Sequence, residues 1–207
     1  MNDNLKEEII KKSQFPYGKR KYQYQSIDEE NMRGIRDMDH RYSVLDLPCS
    51  FKGKRVLDIG CNLGMVCKMS SQKEAALSVG IDNKAETIEV AKKYFDSEDC
   101  KNVQLFLYDI NNGLDTLIST IGSEKFDYVF ALSIWKHVDR FKLYDIINYY
   151  CKNSCWFEGH NKQSQQFFEK ELSRYLNFSK IDFMGNTTDR GVRPNFLLTE
   201  KYKELEI

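Results

Sequence analysis

"VLDIGCNLGMV", Val56 to Val66, decides the fold. Val56 and Leu57 lead through Asp58 and Ile59 into Gly60, and Gly64 follows after three intervening residues. A short apolar run that breaks at glycines reads as a buried strand turning directly into a helix. The turn poses a question of ligand, because an aspartate closes the strand where backbone could approach a bound molecule.

Working outward, "RVLDI" is a strand and "LGMVCKMSSQK" a helix. "ALSVGI" is a second strand, then "NKAETIEVAKKYF" a helix, with Asn83 and Glu86 predicted as a capping box. "VQLFLY", "FDYVFAL" and "CWFEG" are further strands, with helices in "GLDTLISTI" and "FKLYDIINYY". Phe168, Leu172 and Tyr175 mark another helix, and "FSKIDFMG" with "RPNFLLTE" form a terminal hairpin. Repeated β-α order predicts an α/β protein with a doubly wound, mostly parallel sheet.

Upstream of Lys54, residues 1 to about 25 read as an appendage, with a short helix in "LKEEIIKK" and a loop in "FPYGKRKYQYQ". Ile35, Met38, Tyr42 and Leu45 recur at helical spacing, and Pro48 ends that helix. The expected organisation is a helical extension over 1–50 that lids the site, and one α/β domain over 51–207.

In such a sheet ligands sit beyond the carboxyl ends of the strands. The second strand ends at Asp82, 24 residues after Asp58, where a carboxylate can take hydrogen bonds from ribose hydroxyls. The spacing G-x-x-x-G departs from the dinucleotide pattern G-x-G-x-x-G, and Asp58 would repel a pyrophosphate. No G-K-[ST] follows, which excludes a P-loop. The turn therefore suits a nucleoside cofactor with a cationic head. A tight turn holding no ligand is the competing reading.

"VLDIGCNLG" resembles motif I of class I S-adenosylmethionine-dependent methyltransferases. "VGIDNKAETIEVAKKY", "LYDI" and "FDYVFALSIWKHV" resemble their second, third and fourth motifs, so the likeness covers about residues 54 to 160. The resemblance implies a Rossmann-like seven-stranded sheet whose C-terminal strand is antiparallel, and S-adenosyl-L-methionine as cofactor. It places Asp58, Gly60, Asn62 and Gly64 around the methionine part, Asp82 at the ribose and Asn83 beside the adenine. Asp109 would face the adenine amino group with Ile110 supporting it, and Leu132 and Ser133 would floor the pocket near the sulfonium. The family often has Gly where Asn62 stands. The flanks "YQSI", "GIRDMDHRYSVLDL", "FEGH" and "RPNFLL" look like small methyltransferases of bacterial surface-glycan synthesis, some of which methylate sugars or terminal phosphates. Tyr24 and Arg36, within those flanks, are further cofactor-binding candidates.

Lys plus Arg and Asp plus Glu number 31 each, a balance that disfavours duplex nucleic acid. No apolar run approaches a membrane span and no signal peptide is legible, so a cytoplasmic location is the default expectation. The six cysteines form no CxxC pair, so buried free thiols are expected and no metal site.

Methyl transfer from a sulfonium is an in-line displacement, in which the protein mainly positions the acceptor. A hydroxyl acceptor also needs a base. A phosphate or carboxylate needs cationic partners instead. His137 and His160 follow strands at the cofactor edge, and Glu158 closes an apolar strand there, so these three are the catalytic candidates. Each is also readable as an ordinary strand-end residue. Arg36 and Arg41 flank the N-terminal helix and could reach the cofactor carboxylate or an anionic acceptor. Trp135 could wall the acceptor pocket, and Arg190 and Arg193 could clamp a phosphate. The expected acceptor is a small molecule or glycan, methylated at a hydroxyl, phosphate or carboxylate. The alternatives are an RNA methyltransferase, motivated by the basic and aromatic "KRKYQYQ", and an inactive cofactor-binding partner protein. The oligomeric state is not readable.

Overall fold

Ile9, Ile27, Met32, Met38 and Leu45 of the N-terminal segment are buried in one apolar cluster with the sheet. The computed structural model describes residues 1–17, 20–189 and 191–201, leaving aside the side chains of 15–17, 20–22 and 28. Helix α1 (Asp3–Lys12) is capped by the Asn2 side chain, which accepts from Leu5 N. Its Ile9 is fully buried in the same apolar cluster as Val56 and Phe130. Thr87 Oγ1 donates to Lys12 O at 3.2 Å, tying the segment down. The appendage reading is thus corrected, because these residues complete a core. The expected loop is also corrected. Strands β1 (Gln14–Tyr17) and β2 (Arg20–Gln23) pair as an antiparallel hairpin.

Helix α2 (Met38–Leu45) starts later than the apolar spacing suggested. Ile35 N bonds Gln23 O at 3.0 Å, so Ile35 belongs to an extended segment. Asp37 caps the helix by accepting from His40 N at 2.9 Å, and Asp46 ends it in the left-handed region, ahead of Pro48.

The sheet proper comprises β3 (Arg55–Ile59), β4 (Leu77–Asp82), β5 (Val103–Leu107), β6 (Phe126–Leu132), β7 (Cys151–Glu158), β8 (Phe178–Thr187) and β9 (Arg193–Lys201). Its order is β5-β4-β3-β6-β7-β9-β8. The pairs β3–β4, β4–β5, β3–β6 and β6–β7 are parallel, and β9 runs antiparallel to both β7 and β8. The chain therefore closes with one reversed strand inserted between two forward ones. Strand order reverses between β3 and β6, which opens a crevice at their carboxyl ends.

Both faces are covered. Helices α3 (Met65–Gln72) and α4 (Ala85–Ser97) share one apolar cluster with α1 and α2. Helices α5 (Leu114–Ile121), α6 (Arg140–Tyr150) and α7 (Gln165–Tyr175) build the other. Leu57 and Ile59 serve the second cluster while Val56 serves the first, as the alternation of strand side chains requires. This double burial explains why Val56, Leu57 and Ile59 are apolar on both faces of β3.

One cap differs from the sequence reading. The residue preceding α4 is Lys84, without a side-chain cap. Asp82 Oδ1 accepts from Lys84 N at 3.0 Å, so the strand's last carboxylate takes the role expected of Asn83. Of the six cysteines, all free, Cys61, Cys67, Cys151 and Cys155 are buried. Cys100 is half-buried and Cys49 exposed, so the buried-thiol reading holds for four. Among the described residues no helix is long and apolar enough to cross a membrane, and no group of three His, Cys, Asp or Glu could hold a metal.

Candidate active site

The turn after β3 is shaped by three positive φ angles. Gly60 and Gly64 lie at 78° and Asn62 at 52°. Asparagine tolerates the left-handed region better than most residues with a side chain, which is why it can stand where a glycine is common. At Gly60 a Cβ would come within 2.8 Å of Ile134 Cδ1, so the backbone stays bare there. At Gly64 a Cβ would meet the Phe95 ring at 2.9 Å, a close approach between helix and core.

A cavity of about 370 Å³ opens over this turn. Asp58, Gly60, Asn62, Asp82, Asn83, Leu132, Ser133, His137 and Tyr24 all line it. A recess of about 50 Å³ continues from it, bounded by Asp82, Asn83, Asp109, Ile110 and His137. Four sequence candidates stand elsewhere. Gly64 supports the turn from behind, and neither Glu158 nor His160 lines the cavity. Arg36 is also absent from its wall. It is fully buried and pairs with Glu158 at 2.5 Å and Asp189 at 2.8 Å, so the expected cofactor contact is instead an ion-pair partner behind the cavity wall.

Asp58 is 3% exposed, and its Oδ2 has no hydrogen-bond partner. Burial pushes its carboxyl up to about 7; Arg41 pulls it down and Asp82 adds to the rise. A buried carboxylate without a partner is costly, and a cation entering the cavity would relieve that cost. Asp82 is also raised by burial, but less so, because the N–H groups of Lys84 and Asn62 donate to it. Asn62 N reaches Asp82 Oδ2 at 2.9 Å, which fixes the carboxylate at the end of β4.

Sequence reasoning missed Gln25. Its side chain is buried, accepts from Leu63 N at 3.1 Å and donates to Cys61 O at 3.3 Å. One amide thus grips the glycine turn from the N-terminal segment. Nothing local to "YQSI" signals this contact, since it joins residues far apart in the chain. Arg41, read from the sequence as able to reach the cofactor carboxylate or an anionic acceptor, lines the cavity and is almost fully buried.

Glu158 is the centre of a buried polar cluster. Arg36 Nη2 donates at 2.5 Å and Arg41 Nη2 at 2.8 Å, and the Ser133 and Thr187 hydroxyls also donate to it. Burial alone would push its carboxyl up. The two guanidiniums and two hydroxyls overcome that and hold it at about 2. The expected catalytic Glu158 is thus a carboxylate engaged on both oxygens and away from the cavity wall. Ser133 has φ of 62°, a conformation tolerated because Arg41, Arg193 and Glu158 all bond its hydroxyl.

His137 is exposed at the cavity mouth, and its ring centroid lies 6.3 Å from that of His160. His160 is 7% exposed and is lowered to about 4 by burial and by the cations Arg193, Lys136, His137 and Lys162. His40 stands apart, its Nε2 accepting from Thr188 N at 3.2 Å. Trp135 turns inward, donating to Tyr144 OH at 2.7 Å and packing on Phe167 and Phe168. Arg190 lies outside the described residues, as does the Gly18–Lys19 step before most of "RKYQYQ".

A doubly wound sheet, a bare glycine turn and two strand-end carboxylates define an α/β protein that binds a nucleoside cofactor with a cationic head. A family model described as a methyltransferase domain matches residues 50–179, and the chain belongs to that family. Protein arginine N-methyltransferase 1 of Dictyostelium discoideum is 31% identical over 93 residues, covering 44% of this chain and 27% of that protein. Among solved structures, the bifunctional kinase-methyltransferase WbdD aligns with a TM-score of 0.66 at 16% identity, over 87% of this chain and 46% of that one. The magnesium protoporphyrin IX methyltransferase of Synechocystis PCC 6803, solved with bound SAM, aligns at 0.59 and 16%, over 79% of each chain. The chain thus spans less than half the length of the first two. The cofactor these comparisons support is S-adenosylmethionine.

The residues present fit that cofactor. Its ammonium suits the orphaned Asp58 oxygen, and its ribose suits the fixed Asp82 carboxylate. Gly60 lines the same cavity without a side chain of its own, because Ile134 fills the place a Cβ would take.

Proposed function

We propose that this protein transfers a methyl group from S-adenosylmethionine to an oxygen of a small-molecule or glycan acceptor. The observation that carries the reading is the buried, unpartnered Asp58 oxygen beside the bare Gly60 backbone, at the floor of a cavity large enough for a nucleoside. The cofactor supplies an electrophilic methyl on a sulfonium. Asp58 holds the ammonium, Asp82 the ribose hydroxyls, and Asn83, Asp109 and Ile110 enclose the base. Arg41, on the same cavity wall, faces the cofactor carboxylate. Leu132 and Ser133 floor the reacting end. His137 is the imidazole at the mouth, placed to accept a proton when the acceptor is a neutral hydroxyl.

The reading predicts one-to-one binding of S-adenosylhomocysteine by calorimetry. Asp82→Ala should weaken it at least about tenfold through lost charge-assisted hydrogen bonds. Absence of binding by the unaltered protein would reject the proposal. A turnover screen across sugars, sugar phosphates, small acids and RNA then names the acceptor. Activity confined to RNA would replace the small-molecule reading.

A further inference from the structure

Three arginines are buried around Ser133 and Glu158, and they do not share their counter-ions equally. Arg36 takes Glu158 and Asp189, and Arg41 takes Glu158. Arg193 is 4% exposed and pairs with no carboxylate among the described residues. Its Nη1 donates to the neutral Ser133 hydroxyl at 2.6 Å, and its Nε, like those of Arg36 and Arg41, is buried without a partner, so what sets Arg193 apart is the missing carboxylate. An uncompensated guanidinium out of water is expensive, and folded proteins keep one where an anion completes it.

The surroundings of Arg193 add a further unpartnered polar atom and positive charge. Gly159 N bonds Pro194 O at 2.8 Å, which sets His160 beside Arg193 across the β7–β9 junction. His160 is buried and its Nδ1 has no partner. His137 faces it from the cavity mouth, and Lys136 and Lys162 stand near enough to disfavour its proton. No acidic group is among the neighbours that shift His160 most. Ser133 links this patch to the cavity floor, since it both lines the cavity and bonds Arg193.

We propose that Arg193, with His160 and His137, forms a seat for an anionic acceptor, and that the oxygen methylated belongs to a phosphate or carboxylate. This rests on the reading of the larger cavity as the cofactor site. The acceptor oxygen supplies the electron pair for the new O–C bond. The pair of the broken S–C bond stays on sulfur, which leaves as a neutral thioether. An anionic oxygen carries no proton, so no base is required, and the low-lying Glu158 needs no catalytic part. Arg41, already matched by Glu158, is left to the cofactor side of the same wall.

The experiment uses the full chain saturated with S-adenosylhomocysteine. Inorganic phosphate and acetate are titrated separately, following the His160 imidazole by NMR and heat by calorimetry. The expected result is saturable binding of at least one anion, with the His160 pKa rising as the added negative charge offsets its cationic neighbours. Stronger binding of phosphate assigns a phosphoryl acceptor, and stronger binding of acetate a carboxylate. Arg193→Gln should weaken anion binding about tenfold, and Arg193→Lys less, while S-adenosylhomocysteine affinity stays within about threefold. The His160 readout in the unaltered protein needs no variant to fold. Absence of saturable anion binding overturns the proposal. So does an Arg193→Gln variant that keeps anion binding, or one that loses S-adenosylhomocysteine instead, which would make Arg193 a cofactor contact. Failure of S-adenosylhomocysteine to bind the unaltered protein would strike the underlying reading itself.

Discussion

Asp58 is buried without a partner for one oxygen, and burial raises its carboxyl to about 7. In the free protein this raised value favours the protonated form. Its stabilising contribution is complete below about pH 4 and is lost as pH rises through about 7. A cationic ligand reverses the preference by favouring the carboxylate. Binding of S-adenosylhomocysteine should therefore release a proton near pH 6, and affinity should rise between pH 6 and about pH 7. Calorimetry in buffers of different ionisation heat measures that proton directly. Asp58→Asn should abolish the release and weaken binding about tenfold or more. It should also raise the urea midpoint of the free protein at pH 8, where the native carboxylate is ionised and buried. A proton count unchanged in Asp58→Asn would remove Asp58 from the ammonium site. Asp58 and Asp82 were legible in sequence because their meaning is local: an acidic residue closing an apolar strand ahead of a turn. What the spacing could not show is that Asp58 lacks a partner, since that depends on every element around it.

The junction of α2, β7 and β9 was much less legible. Arg36 and Arg41 come from the N-terminal segment, Ser133 from the end of β6, Glu158 from β7, Thr187 from β8 and Arg193 from β9. Each residue alone reads as a surface charge or a strand-end polar group. Only the insertion of β9 between β7 and β8 makes them one cluster. Gln25 escaped for the same reason, as its grip on Leu63 N spans 38 residues. The elements themselves were readable where period and breakers agree, as in β3, α4 and β6. The hairpin β1–β2 was not, because Pro16 and the glycine at 18 read as loop signals. Glu158→Gln tests the cluster. It keeps the shape but leaves buried Arg41 without a carboxylate and Arg36 with Asp189 alone, so about 3–5 kcal/mol of stability should be lost. Equilibrium urea unfolding measures it. In the unaltered protein the Glu158 contribution is present above about pH 4.5 and fades as pH falls through about 2. A loss below about 1 kcal/mol would show that the guanidiniums find other partners or water.

At the scale of the molecule, two apolar clusters meet along the sheet, and the cofactor cavity sits where both approach its carboxyl edge. Its walls come from the N-terminal segment, the turn after β3, the end of β4 and the loop after β6. A ligand there would add contacts between parts already joined by a shared apolar cluster and by the Gln25 grip on the turn. Binding to the folded state alone must stabilise it by mass action. At about one hundred times its dissociation constant, S-adenosylhomocysteine should add about 2.7 kcal/mol. For a chain of 207 residues this corresponds to a rise in Tm of roughly 5–10 °C. Differential scanning calorimetry reads the shift, and hydrogen exchange locates it. Protection should increase in residues 24–45 and 60–66 together, because Gln25 and Arg41 share the ligand's cavity with the glycine turn. A Tm rise with protection confined to the turn would mean that the N-terminal segment does not close on the cofactor, and that the first fifty residues serve the core alone.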